Sequence, residues 1–492
     1  MNLKKFQSTQ GKKWLVFAII VELNLLLFFV MILLFNSYWL EINYYVSFWL
    51  GMQINLILLI LLLFIAALLF NLYMIYKFLQ SIPETNTIEP SRHQKLALLI
   101  IFFLFNLLAI ILFYFTSSYI EIVFLKIEFY SLLIFIPTSL LLIFLLYPLI
   151  RSFPKVKNHF SMKVCSPKTK SIIILIGIMG LYSFSFLYPI LFIPASVIDY
   201  ELPSKPDIIA HRGGSQLGPE NTLEVAEVAL DYDIVGWEVD IAISYDGVPF
   251  LMHDDTLERT TDVEEVFPEK NSERADSFKW KDLQKLNAGS WFVEFDPFNT
   301  VKSGILSKDQ LKNYEDAKIP SFEEVLNFTR ENDLILDFDT QHPPEDHPYY
   351  ETYIGILFNM TIELMDDLSK IMIPTSSERW LDLIEENDVE EIWTYADYDN
   401  TGDGYTNQEY REFYQQDFPI MVYTINSLER FSQLWCLGVS WVKTDIPHKY
   451  VDIEEPLWFM PSESYLIIWI VIYIVGISVA IISGISQQKT KK

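Results

Sequence analysis

The sequence predicts an α/β protein, a TIM (β/α)8 barrel attached to a six-helix transmembrane region, and three observations predict it. Apolar runs long enough to cross about 30 Å of hydrocarbon recur before residue 195 and once more after 463. Between them, short strand-like runs alternate with helical stretches over about 250 residues, the rhythm of parallel βαβ units closing into a barrel; an open α/β sheet is the alternative. Charge follows the same division. Residues 196–463 hold 57 Asp and Glu against 19 Lys and Arg, while the rest of the 492-residue chain holds 6 against 17. The implied domains are 1–195 (five spans), 196–463 (the barrel) and 464–492 (a sixth span and a basic tail).

The membrane elements come first in the chain. Apolar runs lie at roughly 14–35, 46–77, 96–115, 129–150, 171–195 and 465–485. The first is too long for a signal peptide, and no small-residue cleavage site follows it. Basic loops alternate with basic-poor ones. Lys4, Lys5, Lys12 and Lys13 precede the first span, Arg92 and Lys95 follow the second, and Arg151, Lys155, Lys157, Lys163, Lys168 and Lys170 follow the fourth. Lys489, Lys491 and Lys492 end the chain. Both termini are therefore expected in the cytoplasm and 196–463 outside the cell or in a lumen. Glu22, Asn24 and Asn55 interrupt the apolar runs. A carboxyl there suits either a proton relay or an interhelical hydrogen bond.

The charge balance argues against nucleic acid as a partner, because a phosphate backbone needs a basic footprint. With only Cys165 and Cys436, a disulfide scaffold is excluded; Cys436, in Leu-Trp-Cys-Leu-Gly, reads as a buried helix residue. Asn327-Phe-Thr and Asn359-Met-Thr are candidate glycosylation sites on the exported part.

Within that part, strand-like runs occupy 207–211, 235–243, 334–339, 370–374, 391–395, 419–426 and 441–445, with helices expected at Glu220–Leu230, Ser321–Asn332 and Ser427–Leu437. Seven strands are legible, so an eighth between 395 and 419 is short or atypical. That interval contains Asp397–Gly404, which opens like a calcium loop; its twelfth position is Gln408 instead of Glu, so an acidic surface loop is expected.

Barrel chemistry gathers at the C-terminal ends of strands, and the informative residues are there. His211 and Arg212 end the first strand before a glycine pair, and Pro219–Thr222 opens a helix. Glu238 and Asp240 are two apart, so a strand turns both to one face and Trp237, Val239 and Ile241 to the other. Asp246-Gly247 marks a tight turn, and the chain returns to His253 near the same end. Asp337 and Asp339 end another strand. Carboxylates without cysteine favour a hard cation, Ca²⁺ or Mg²⁺; Arg212 offers a forked phosphate donor. Two imidazoles that trade protons beside a cation suffice to cleave a phosphodiester.

These residues resemble the glycerophosphodiester phosphodiesterases. The resemblance rests on His-Arg-Gly-Gly (211–214), Pro-Glu-Asn-Thr (219–222), the run from Trp237 to Val263, Leu-Asn-Ala-Gly-Ser-Trp-Phe (286–292), 319–326, 422–426 and 442–447. With five spans before the barrel and one after, the chain looks like that family's six-span membrane subgroup. The resemblance implies an insertion after the second strand (about 254–318), a divalent metal on Glu238, Asp240 and Asp337, and His211 with His253 as the acid–base pair. Arg212 and Lys443, which shares a face with Asp445 at another strand end, are the expected phosphate contacts, with Glu220, Asn221, Tyr423 and Asp445 in support. Where the family carries Glu-x-Lys, this chain has Asp337-Phe-Asp339. The expected substrate is a small glycerophosphodiester, such as glycerophosphoinositol or glycerophosphocholine. Cleavage of a glycosylphosphatidylinositol anchor or lysophospholipid at the bilayer, and a receptor or transporter whose barrel only binds, are the alternatives.

Overall fold

The computed structural model describes residues 3–34, 39–50, 52, 54–80, 90–115, 120–140, 143, 180, 184, 186–373, 378–389 and 391–489. They divide into two compact units, Met1–Ile127 and Glu128–Lys492.

The first unit is built from α1 (Leu3–Leu34), α2 (Trp39–Leu50), α3 (Leu56–Gln80) and α4 (Arg92–Phe115), with α5 (Ile120–Phe129) running into the second. α3 and α4 are apolar on nearly every face, as helices surrounded by lipid are. The few polar side chains are spent between helices. Asn71 Nδ2 donates to Ala18 O at 2.9 Å and to Glu22 Oε2 at 2.8 Å, and Asn24 Nδ2 reaches Asn106 Oδ1 at 3.3 Å. Glu22 thus serves helix packing. Asn55 is not mid-span: α2 ends at Leu50 and α3 starts at Leu56, where Asn55 Oδ1 accepts the Leu58 N–H at 3.0 Å as an N-terminal cap. Among the described residues, Trp14–Ile32, Leu56–Lys77, Arg92–Tyr114 and Ser462–Val479 are long and apolar enough to span a membrane. The expected spans at 129–150 and 171–195 fall only partly within the described residues. Of the first, a shorter apolar helix, Ser131–Leu140, is described.

In the second unit, β1 (Val197–Ile198) pairs parallel with β10 (Met460–Pro461). The main sheet contains β2 (Asp207–Ala210), β3 (Gly236–Ile243), β4 (Pro249–Leu251), β5 (Ile335–Thr340), β6 (Ile371–Met372), β7 (Asp399–Thr401), β8 (Ile420–Val422) and β9 (Trp441–Thr444). Seven parallel strands run in the order β6-β5-β3-β2-β9-β8-β7, while β4 folds back antiparallel on β3. A single parallel bridge from Met372 to Trp393 extends the curl. This is a TIM-barrel-like sheet.

Two expectations change here. The run 391–395 forms only that one bridge, and the missing strand is β7, inside the stretch expected to be an acidic loop. Asp-Asn-Thr has little intrinsic strand preference. Parallel pairing with β8 and burial of the adjacent Tyr398 hold it there.

Helices α6 (Leu223–Ala229), α7 (Phe322–Glu331), α8 (Tyr353–Leu364), α9 (Glu378–Glu386), α10 (Asn407–Gln415) and α11 (Leu428–Leu437) accompany the strands, and α12 (Ser462–Lys489) follows the barrel. Their starts are written locally. Thr222, Ser321, Thr406 and Ser427 each accept a backbone N–H of the first turn, and Ser321 and Thr406 complete capping boxes with Glu324 and Glu409. Cys436 is buried on α11. Asn359 is exposed on α8, whereas Asn327 on α7 is half-buried and accepts a hydrogen bond from Arg330 Nη2 at 2.8 Å.

The strand alternation sorts side chains into layers. Trp237, Val239 and Ile241 pack outward on Phe322, Val325 and Leu326 of α7, and Trp237 Nε1 donates to Thr329 Oγ1 at 2.9 Å. Ile209, Met372, Tyr398 and Met421, with Ile335 and Trp441 packed on them, plug the interior near the strand starts. One strand period further on, that interior face carries His211, Glu238, Asp337, Tyr423 and Lys443 instead. The inserted 254–318 has its own small core of Leu257, Val263, Ala275, Phe278, Leu283 and Leu286, shared with Phe250 and Met252.

Candidate active site

His211 begins the turn after β2. Its Nδ1 lies 2.6 Å from Asp445 Oδ1, and its Nε2 lies 3.8 Å from Glu238 Oε2. Asp445, just past β9, also accepts Ser215 Oγ at 2.7 Å and Asn426 Nδ2 at 2.5 Å. Burial works against both charged forms, yet the pair prevails: His211 is raised above its ordinary value by Asp445 and Glu238, and Asp445 is lowered by His211, Ser215 and Asn426.

Arg212 adopts φ 52°, a left-handed conformation unusual for a side-chain-bearing residue. The turn aims its backbone N–H at Glu238 Oε2 (3.0 Å), while Nη1 reaches Glu220 Oε1 (3.1 Å) and Nε stands 3.3 Å from Asp240 Oδ2. Asn221, also at positive φ (57°), brackets Asp240: its Nδ2 donates to Asp240 Oδ2 at 2.8 Å and its Oδ1 accepts the Asp240 N–H at 3.1 Å.

Glu238 and Asp337 are direct partners across β3 and β5, so both carboxyls occupy one level of the interior. Burial, then the nearby Asp240, pushes Glu238 up to about 7; burial also raises Asp337. Lys443, 5 % exposed, forms an ion pair with Asp337 and lies 5.1 Å from the Tyr423 ring centre. Asp339, opposite Asp240, is exposed at the mouth.

His253 follows β4. Its Nδ1 lies 2.8 Å from Asp254 Oδ1, and that hydrogen bond raises its pKa. Asp254 accepts Arg259 Nε at 2.6 Å and Nη2 at 2.9 Å, and Arg259 also grips Glu220 with two contacts of 2.7 Å. An unbroken polar chain therefore runs from Asp445 and His211 through Glu238, Arg212, Glu220, Arg259 and Asp254 to His253. Of the expected site residues, His211, His253, Glu238, Arg212, Glu220 and Asp445 lie along it, Asp240 and Asn221 branch from it at Arg212, and Asp337, Lys443 and Tyr423 form a separate cluster beside Glu238. Asp254, Arg259, Ser215 and Asn426 were missed. The signal for Arg259 was a lone Arg in an otherwise acidic stretch, 254–269.

Among the described residues, no three His, Asp or Glu side chains converge tightly enough to chelate an ion as they stand. The donor set nonetheless suits a hard divalent cation. Six carboxylates (Glu220, Glu238, Asp240, Asp254, Asp337 and Asp445) face only three fixed cations (Arg212, Arg259 and Lys443), and the buried Asp337 Oδ1 has no hydrogen-bond partner.

Residues 211–377 match the glycerophosphoryl diester phosphodiesterase family. The mouse protein named glycerophosphoinositol inositolphosphodiesterase GDPD2 is 33% identical over 325 residues, covering 62% of this chain and 58% of its own length. Chicken and human proteins named glycerophosphodiester phosphodiesterase domain-containing protein 5 are 36% and 34% identical, each over 55% of this chain and 46% of theirs. The chain thus spans about half the length of these relatives. The match to that family therefore covers residues 211–377, a stretch that includes His211, Glu238, Asp240, His253 and Asp337 of the site.

Proposed function

We propose that this chain is a membrane-anchored phosphodiesterase that hydrolyses glycerophosphodiesters to an alcohol and a phosphomonoester. The observation that carries this reading is the pair of histidines, each with Nδ1 held by an aspartate, set at opposite ends of one buried carboxylate network. Fixing Nδ1 leaves each Nε2 for proton transfer.

Arg212 binds the diester's non-bridging oxygens, and Lys443 neutralises charge at the same corner. His211 takes a proton from the attacking water as its oxygen bonds to phosphorus, and His253 gives a proton to the alcohol oxygen as the P–O bond breaks. Glu238, Asp240 and Asp337 would hold the divalent cation, Ca²⁺ or Mg²⁺, which when bound supplies Lewis-acid neutralisation of phosphate charge. The name of the mouse relative favours glycerophosphoinositol as the head group to test first. The domain division at 1–195, 196–463 and 464–492, with the barrel on the exported face, is supported by the alternation of basic loops.

A second reading, a lipid-anchored head group as substrate, has its own support. Asn407, the first residue of α10, donates to Glu128 Oε1 at 2.8 Å, and Tyr130 OH donates to Glu429 Oε1 in the first turn of α11 at 3.0 Å. These helix starts follow the C-terminal ends of β7 and β8, the end of the barrel that carries the site. The residues next to the apolar segments therefore adjoin the catalytic rim.

The test is product analysis with the full chain in detergent, with and without chelator, on soluble glycerophosphodiesters and on the same head groups in vesicles. His211→Ala and His253→Ala should each lower turnover by about 10²–10⁴-fold, and chelation should abolish it. Wild-type rates from both variants would refute the assignment.

A further inference from the structure

Arg259 stands between the two halves of the site. Its guanidinium makes four contacts of 2.6–2.9 Å, two to Asp254 and two to Glu220. Each carboxylate then acts onward: Asp254 holds His253 Nδ1 at 2.8 Å, and Glu220 takes Arg212 Nη1 at 3.1 Å. His253 stands at the start of the loop after β4, with its side chain 38% exposed, and among the described residues its ring is hydrogen-bonded only to Asp254, through Nδ1. Asp254 is itself on that loop, and the planar fork that joins it to the 9%-exposed Glu220, in the turn before α6, ties it to the barrel. A lysine at 259 would keep the charge but could not form both forked pairs.

We propose that Arg259 is a positioning residue for the proton donor: by locking Asp254 against Glu220, it holds His253 with Nε2 directed at the leaving-group oxygen. This rests on the reading of the site as a phosphodiesterase with His253 as acid. Proton donation matters when the leaving group is an alkoxide and hardly at all when it is a nitrophenolate, which departs without a proton. A contribution confined to folding would affect both alike.

The experiment uses the full chain in detergent and two substrates that differ only in the leaving group, a glycerophosphodiester of an alkyl alcohol and the matching p-nitrophenyl ester. Arg259→Ala and Arg259→Lys are expected to lower kcat on the alkyl ester by roughly 10–10²-fold and on the aryl ester by less than about threefold. His253→Ala should show the same asymmetry, larger, and adding Arg259→Ala to His253→Ala should cost nothing more. Arg259→Lys, which keeps the charge, guards against simple unfolding, read as an unchanged unfolding temperature. Equal losses on both substrates from either Arg259 variant, or no loss, overturn the clamp while leaving His253 in place. A His253→Ala enzyme equally impaired on both substrates overturns the proton-donor role instead, and the clamp with it.

Discussion

At the scale of single residues, the site is governed by which partner each ionisable group has been given. Asp445 shows how. Burial favours its neutral form, but His211, Ser215 and Asn426 all stabilise the carboxylate, which stays below the usual carboxylate range. A depressed acid contributes stability that is fully present above its unfolded value of about 4 and is lost as pH falls through the folded value. Asp445→Asn should therefore flatten the acid limb of unfolding temperature against pH. Because it also releases the His211 ring, it should lower turnover at neutral pH by about 10²–10⁴-fold. An unchanged acid limb with unchanged turnover would show that Asp445 only packs. Glu238 is perturbed in the opposite sense. Burial and the like charge of Asp240 raise it, which is the electrostatic setting that a bound cation relieves.

At the scale of elements, β3 shows how one strand serves core and site together. Its alternation sends Trp237, Val239 and Ile241 into the helix layer and Glu238 and Asp240 into the interior. Trp237→Ala removes a fully buried indole and the donor to Thr329, and should destabilise the barrel by about 3–5 kcal/mol. A shift of the barrel's unfolding transition in a thermal scan would measure it; no shift would mean that the helix layer does not depend on this packing. Most of the elements were legible because their signals are local. Ser321 and Ser427 fall at cap positions, Asp246-Gly247 turns the chain, and β5 and β9 are apolar runs ending in charge. β7 was not legible, since Asp399–Thr401 is a strand only because β8 offers a ladder beside it. The break between α2 and α3 was missed for a different reason: hydropathy averages over a window, and Asn55 marks the break only by a single capping hydrogen bond.

At the scale of the whole molecule, the partition of charge is what supports the proposed topology. With acids concentrated in 196–463 and Lys and Arg flanking alternate apolar runs, a membrane-impermeant amine reagent applied to sealed cells or vesicles should modify the barrel's lysines from the exported face only. Labelling from the cytoplasmic face would reverse the orientation.

Sequence alone determined the barrel class, the two-residue spacing that puts Glu238 with Asp240, and the histidines at strand ends, because periodicity and turn chemistry act between neighbours in the chain. Only the tertiary structure decided which carboxylate each cation meets. Lys443 goes to Asp337, Arg212 to Glu220, and Arg259 to both Glu220 and Asp254. The first of these pairings joins residues more than a hundred positions apart, and all depend on register and loop path. Coulomb attraction selects among the acids within reach, and reach is set by the fold.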